Sequence, residues 1–187
     1  MSIPQTASAP VAEPITLPDE LLSRPVEGLN LVPGTLADQL DPAGTLLVFL
    51  RHFGCIFCRE MVADLRKISA ADASFPRVLL FFQGTVEQGR EFFADRWPEA
   101  YAVADLPKFF YERLGLTRGS VRQMFGPRAW ACGFRALTKG NFVGMKVIGD
   151  PWLMPGVFLV RNRQVVWKHD FDQPGDHPDW NSIPRLG

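Results

Sequence analysis

Thr45-Leu46-Leu47-Val48-Phe49-Leu50 forms an apolar run that stops at Arg51-His52-Phe53-Gly54. A short continuous run of this kind is the pattern of a strand buried on both faces. Cys55-Ile56-Phe57-Cys58 follows directly, and Met61, Val62, Leu65 and Ile68 then fall on one helical stripe. The two cysteines therefore sit where a buried strand ends and an amphipathic helix begins. A strand that is covered on both sides and followed at once by a helix belongs to a layered α/β sheet, and this restricts the rest of the chain more than any other feature.

The remaining segments agree. Arg77–Phe82 (RVLLFF) reads as a second buried strand, Val86–Trp97 as a helix stopped by Pro98, and Tyr101–Ala104 as a short strand. Pro107 opens a helix through Leu114, and Gly115 ends it. Leu36–Leu40 reads as a short helix. Gly156–Val160 and Val165–His169 are two late strands joined by a turn at Asn162-Arg163. Residues 118–149 form an insertion: Val121–Leu137 is expected as a helix broken near Gly126-Pro127, and Thr138–Asp150 as a Gly-rich loop. Residues 1–18, rich in Pro, Ala and Ser, are expected to be a disordered arm, and residues 19–187 a single domain. The polar tail Asp172–Gly187 is expected to lie as a loop on the surface. Alternating strands and helices that end in a hairpin give the thioredoxin-like layout: a central mixed sheet flanked by helices, with an insertion before the C-terminal hairpin.

Composition narrows the chemistry. In 187 residues, Lys+Arg and Asp+Glu are equal at 20 each, so no basic excess points to nucleic acid or an acidic membrane. The first residues have neither the basic start nor the apolar run of a secretory signal, and no segment approaches the roughly 20 apolar residues of a spanning helix. A cytoplasmic protein is the expectation. The chain has 3 cysteines, and an odd count in a chain of this size is not a disulfide scaffold. A close pair in a reducing compartment suggests redox or metal chemistry instead. Zinc needs further ligands, and neither a second CxxC nor an HxxxH is present. No metal and no cofactor is expected.

Residues i and i+3 at a helix start bring two sulfurs within reach, because a disulfide needs Cα atoms about 4.4–6.8 Å apart. Free N–H groups and the positive helix end favour a thiolate at the first position. Cys55 is thus the expected exposed nucleophile and Cys58 the more buried resolving thiol. Arg51, His52 and Arg59 flank the pair and are its candidate supporting residues; an ordinary packed histidine is the other reading of His52. Phe53 and Phe57 are candidate partner contacts, with a core role as the alternative for Phe57. Pro155, just before a late strand, matches the place where thioredoxin folds carry a cis proline facing the pair; the expectation is cis. Cys132, in Trp130-Ala131-Cys132-Gly133-Phe134, reads as a buried inert thiol. Arg122, Arg128 and Arg135 read as a solvated helix face, and His177 has no identifiable partner in the sequence.

The stretch Phe49-Leu50-Arg51-His52-Phe53-Gly54-Cys55-Ile56-Phe57-Cys58-Arg59-Glu60, continuing to Ala63-Asp64-Leu65, resembles the peroxiredoxin-like proteins related to selenoprotein L, in the alkyl hydroperoxide reductase/thiol-specific antioxidant (AhpC/TSA) superfamily. Gly149-Asp150, the strand pair from Val157 to His169, and Gly175-Asp176-His177-Pro178 are similar to those proteins too. The resemblance implies a thioredoxin-like fold and a redox role for Cys55 and Cys58. It departs from typical peroxiredoxins, which carry Pro-x-x-x-Thr-x-x-Cys. Counting back from Cys55 puts His52 and Val48 at the Thr and Pro positions, and Pro155 stands near the late strand where those proteins place an arginine.

Three readings follow. The first is a thiol-disulfide oxidoreductase that cycles Cys55 and Cys58 with a protein or small-molecule thiol or disulfide. The second is a weak two-cysteine peroxidase, in which a hydroperoxide converts Cys55 to a sulfenic acid and Cys58 resolves it. The third is a non-enzymatic thioredoxin-like binding module. Neither nucleic acid nor a membrane is an expected partner.

Overall fold

The run Thr45–Phe49 becomes strand β3, and each of its five residues is buried. In the computed structural model, which describes residues 8–120 and 147–186 and, between them, only Gln123, Cys132, Phe134, Ala136, Thr138 and Gly140, β3 lies in the middle of one mixed sheet. The other strands are β1 (Ser8–Thr16), β2 (Gly28–Leu29), β4 (Arg77–Phe82), β5 (Tyr101–Ala104), β6 (Gly156–Arg161) and β7 (Gln164–His169). Their order is β1-β7-β6-β3-β4-β5-β2. The pairs β3–β4 and β4–β5 are parallel, and the remaining neighbours are antiparallel. The helices are α1 (Asp19–Leu22), α2 (Leu36–Gln39), α3 (Ile56–Ala71), α4 (Val86–Phe93) and α5 (Phe109–Arg113), with a 3-10 turn at Trp180–Ser182.

Side chains alternate across a strand, so one apolar run supplies two cores. Leu46, Val48 and Leu50 face Met61, Val62 and Leu65 of α3, with Phe92 and Phe93 of α4 beside them. Leu47 and Phe49 face the opposite layer, where Leu21, Leu22, Leu36, Phe110 and Tyr111 come from α1, α2 and α5. Phe49 and Phe81 stack across β3 and β4 with centroids 4.3 Å apart. Such burial accounts for the continuous rather than alternating hydrophobic pattern of β3 and β4.

Five expectations meet a different structure. The helix from Val86 ends at Phe93 rather than Trp97. The N-terminal arm is not disordered over its described part: Ser8–Thr16 pairs antiparallel with β7, and Leu17 beyond it is buried. Pro10 and Pro14 concealed this strand, since proline is tolerated only at a sheet edge, and the register of β1 shifts between Pro10 and Ile15. Residues 1–7 lie outside the described residues. The tail is not a surface loop either, because Gln173–His177 are buried. Local hydrogen bonds hold it: His169 Nε2 is 2.6 Å from the Asp176 carbonyl, and the Asp172 N–H donates to the Asp176 carboxylate at 3.2 Å. Pro155 is trans, as no peptide bond among the described residues is cis. The helix after Tyr101–Ala104 starts at Phe109 rather than Pro107. The Asn162-Arg163 turn is as expected, both residues having positive φ of 46° and 65°, which a two-residue hairpin requires. The expected broken helix of the insertion, with Arg122, Arg128 and Arg135, falls largely outside the described residues. Among the described residues no helix is long and apolar enough to cross a membrane.

Candidate active site

At the C-terminal end of β3 the chain leaves the sheet and turns into α3. Tyr111 reaches this exit from α5, and its hydroxyl donates to the carbonyls of Leu50 at 2.6 Å and Phe81 at 2.8 Å. The Arg51 carbonyl accepts from Gln83 Nε2 at 2.6 Å, and Gln83 Oε1 accepts from the Asp150 N–H at 2.9 Å. Gly149 lies under this bridge with φ of +107°, and a Cβ there would come within 2.7 Å of the Arg51 carbonyl. Only glycine fits that approach.

Cys55 is the N-cap of α3 and Cys58 lies in its first turn; the two lie 3.5 Å apart, and both are free thiols. The Cys55 N–H donates to the His52 carbonyl at 3.0 Å, which tightens the turn. The Arg51 N–H points at the Cys58 sulfur, 3.3 Å away. The Arg51 side chain folds inward over the pair. Its Nη1 is 3.5 Å from the Cys55 sulfur, Nε donates to the Leu153 carbonyl at 2.9 Å, and Nη2 donates to the Pro151 carbonyl. The segment before β6 thus cradles a guanidinium rather than presenting a cis proline to the sulfurs.

Electrostatics separates the two thiols. Burial pushes Cys55 up, but the hydrogen bond from Cys58, the charge of Arg51 and the N–H groups of Cys58 and Phe57 outweigh it and hold Cys55 at about 6. Burial pushes Cys58 up, and the hydrogen bond and charge at Cys55 push it further, so Cys58 keeps its proton. This asymmetry suits a nucleophile with a proton-bearing partner. Both sulfurs are covered, however: Cys55 is 5% exposed and Cys58 1%. The thiol expected to be exposed is a buried one, made ionisable by the Cys58 hydrogen bond and the buried charge beside it.

The other candidates divide. Arg59 donates from Nε to the Phe53 carbonyl at 3.3 Å and interacts electrostatically with Cys55. Burial and the neighbouring Arg51 charge pull His52 down to about 4, so near neutral pH it is uncharged and adds no positive field. Phe53 is not a surface contact, because it is buried and stacks on Phe92 with centroids 4.2 Å apart. Phe57 is half-buried under the tail: a Cβ at Gly175 would lie 2.7 Å from its ring and 2.6 Å from Cys132 Cβ. Cys132 is buried there, accepting from Gln173 Nε2 at 3.1 Å. A cleft of about 560 Å³ opens away from the sulfurs, farther along α3, between Glu60, Asp64 and the tail.

Sequence reasoning missed Gln83, Tyr111 and the carbonyls of Pro151 and Leu153. Gly149-Asp150 alone carried a hint of this cradle. The others have no local signature, because their roles come from strands and loops that meet only in the folded chain.

The comparisons fit this architecture. A cysteine-to-serine mutant of peroxiredoxin Q from Xanthomonas campestris superposes with a TM-score of 0.57 at 13% identity, over 81% of this chain and 82% of that one. A similar variant from Xylella fastidiosa gives 0.55 at 15%, over 90% and 92%. At such identities the likeness is one of fold. Prostamide/prostaglandin F synthase of Xenopus tropicalis is 32% identical over 146 residues, 74% of this chain and 71% of that protein. The chloroplastic thioredoxin-like protein AAED1 of Arabidopsis thaliana is 28% identical over 138 residues, 70% of this chain; the chain spans about half of that relative, 54% of its length. The profile of the family described as AhpC/TSA antioxidant enzyme matches residues 63–173, a span that begins after Cys58. With a profile match over more than half its length and a relative at 32% identity, the chain belongs to the AhpC/TSA antioxidant enzyme family.

Proposed function

We propose that this protein is a thiol-dependent peroxidase that passes two electrons from the Cys55–Cys58 dithiol to a small hydroperoxide. The observation that carries this reading is the Arg51 guanidinium, 3.5 Å from the Cys55 sulfur, with Cys58 also 3.5 Å from Cys55. The sequence lacks the usual peroxiredoxin residues around its nucleophile, and Arg51 supplies a cationic donor from a different position. A nucleophile 5% exposed also favours a small substrate, since a protein disulfide would have to dock directly on the sulfur.

The Cys55 thiolate attacks one peroxide oxygen, and the O–O bond breaks. The alkoxide leaves and takes a proton to become an alcohol, with Arg51 stabilising the developing negative charge. Cys55 is then a sulfenic acid. Cys58 attacks that sulfur, water departs with the Cys58 proton, and a Cys55–Cys58 disulfide remains. A protein or small-molecule dithiol returns two electrons by exchange. A reducing compartment such as the cytoplasm suits this cycle.

The test is peroxide consumption with a reducing system. Wild type should turn over. Cys58→Ser should consume one equivalent and stop as a sulfenic acid, trapped by a dione reagent and seen by mass spectrometry. Reduction of a protein disulfide without any peroxide consumption would replace this proposal with the simple oxidoreductase reading.

A further inference from the structure

We propose that Glu60, Asp64 and His177 form a divalent-cation site that fastens the C-terminal tail to α3. Glu60 and Asp64 are one turn apart on α3, and His177 arrives from the tail. One donor atom from each lies within 4.8 Å of the others, and His177 Nδ1 is 3.7 Å from Glu60 Oε2. Glu60 is 0% exposed and His177 8%, so these are inward-facing groups rather than a scatter of surface acids. All three line the cleft beside the tail, where Asp64 is half-buried.

The chemistry of the donors selects the ligand. Two carboxylates one helical turn apart repel each other, and a divalent cation held by both relieves that repulsion. Lys67 lines the same cleft and supplies one positive charge from its rim. A cation between the three donors neutralises both carboxylates at once. Two oxygens and one imidazole nitrogen suit Zn²⁺, Mn²⁺ or Fe²⁺, with the cleft leaving a coordination position for water. Zinc holds such ligands at roughly 2.0–2.2 Å, so the donors must close to about 3–3.5 Å from one another on binding. The site is separate from the thiols: at about 100° per residue, Glu60 points roughly 200° around α3 from Cys58. Its consequence reaches them all the same, because His177 is two residues from Gly175, which rests on Phe57 between the cysteines.

The experiment uses the full chain, stripped of metal and titrated with Zn²⁺ by calorimetry and with Co²⁺ by absorption. One equivalent should bind, and the Co²⁺ form should show visible d–d bands without a thiolate charge-transfer band. Asp64→Asn and His177→Asn should each weaken binding by more than about tenfold, the range that even outer-shell partners command. Cys55→Ser/Cys58→Ser should bind as wild type does. If His177→Asn fails to fold, Asp64→Asn on the half-exposed helix face carries the test. A thiolate band, binding lost only in the cysteine variant, or no stoichiometric binding would each overturn the proposal.

Discussion

Cys55 and Cys132 are both buried free thiols, and they sit in opposite surroundings. Cys55 caps a helix of 16 residues, faces a guanidinium and has a second thiol 3.5 Å away. Cys132 lies under the tail against Gln173, whose amide is a neutral donor, and against Gly175. Burial alone raises a thiol's pKa. What makes Cys55 ionisable is therefore the hydrogen bond from Cys58, the placed charge of Arg51 and the helix N–H groups, which together outweigh a burial effect that works against them. Low exposure is thus no sign of an inert cysteine in this molecule; the nearest charge is the better guide.

The sharpest way to break the comparison is to remove each sulfur in turn. Cys55→Ser should lower peroxide turnover at least about a thousandfold, the scale on which losing a nucleophile acts, whereas Cys132→Ser should leave turnover within about twofold; an equal loss in both would place Cys132 in the cycle. Arg51→Met tests the charge itself. With Cys55 at about 6, roughly nine-tenths is thiolate at pH 7. A full return to the ordinary value near ~8.5 would leave only about 3%, and the Cys58 hydrogen bond and helix N–H groups remain, so iodoacetamide labelling of Cys55 should slow by up to about 30-fold. Circular dichroism would check that the variant folds. In the wild type, labelling should be flat above pH 7, halve near pH 6 and fall about tenfold for each unit below pH 5, as protonation removes the thiolate. His52→Asn should leave that midpoint in place, because a neutral imidazole adds no charge; a shift of a full unit would restore His52 as a tuning residue. The smallest effect on the chemistry is expected from Gly175→Ala. Its methyl group would press on Cys132 and Phe57, lowering stability by about 1–3 kcal/mol in denaturant melts while Cys55 labelling stays near the wild-type rate.

Much of the frame was legible along the chain. β4 and β5 match the expected strands to the residue, and β3, α3, β6 and β7 do so within a few residues. Central buried strands and amphipathic helices write their surroundings into their own periodicity. The pair at the mouth of α3 was legible for the same reason, since its spacing and its place at a strand-helix junction are local. Edges and coverings were not. β1 exists because β7 offers an unpaired edge, and its two prolines disguise it. The tail is buried because His169, Asp172 and Asp176 satisfy one another, and composition reads such residues as solvent-facing. Phe53 was misplaced because adjacency to the cysteines says nothing about direction: its ring turns inward to Phe92, 39 positions away.

The sequence by itself determined that two thiols meet at a helix start behind a doubly covered strand, because that outcome depends on neighbours within a few positions. Tertiary structure alone decided that a buried charge adds to the local groups that favour ionisation of Cys55. The guanidinium that supplies it is held by carbonyls 100 and 102 positions away in sequence, and an electrostatic field depends on distance in space rather than along the chain.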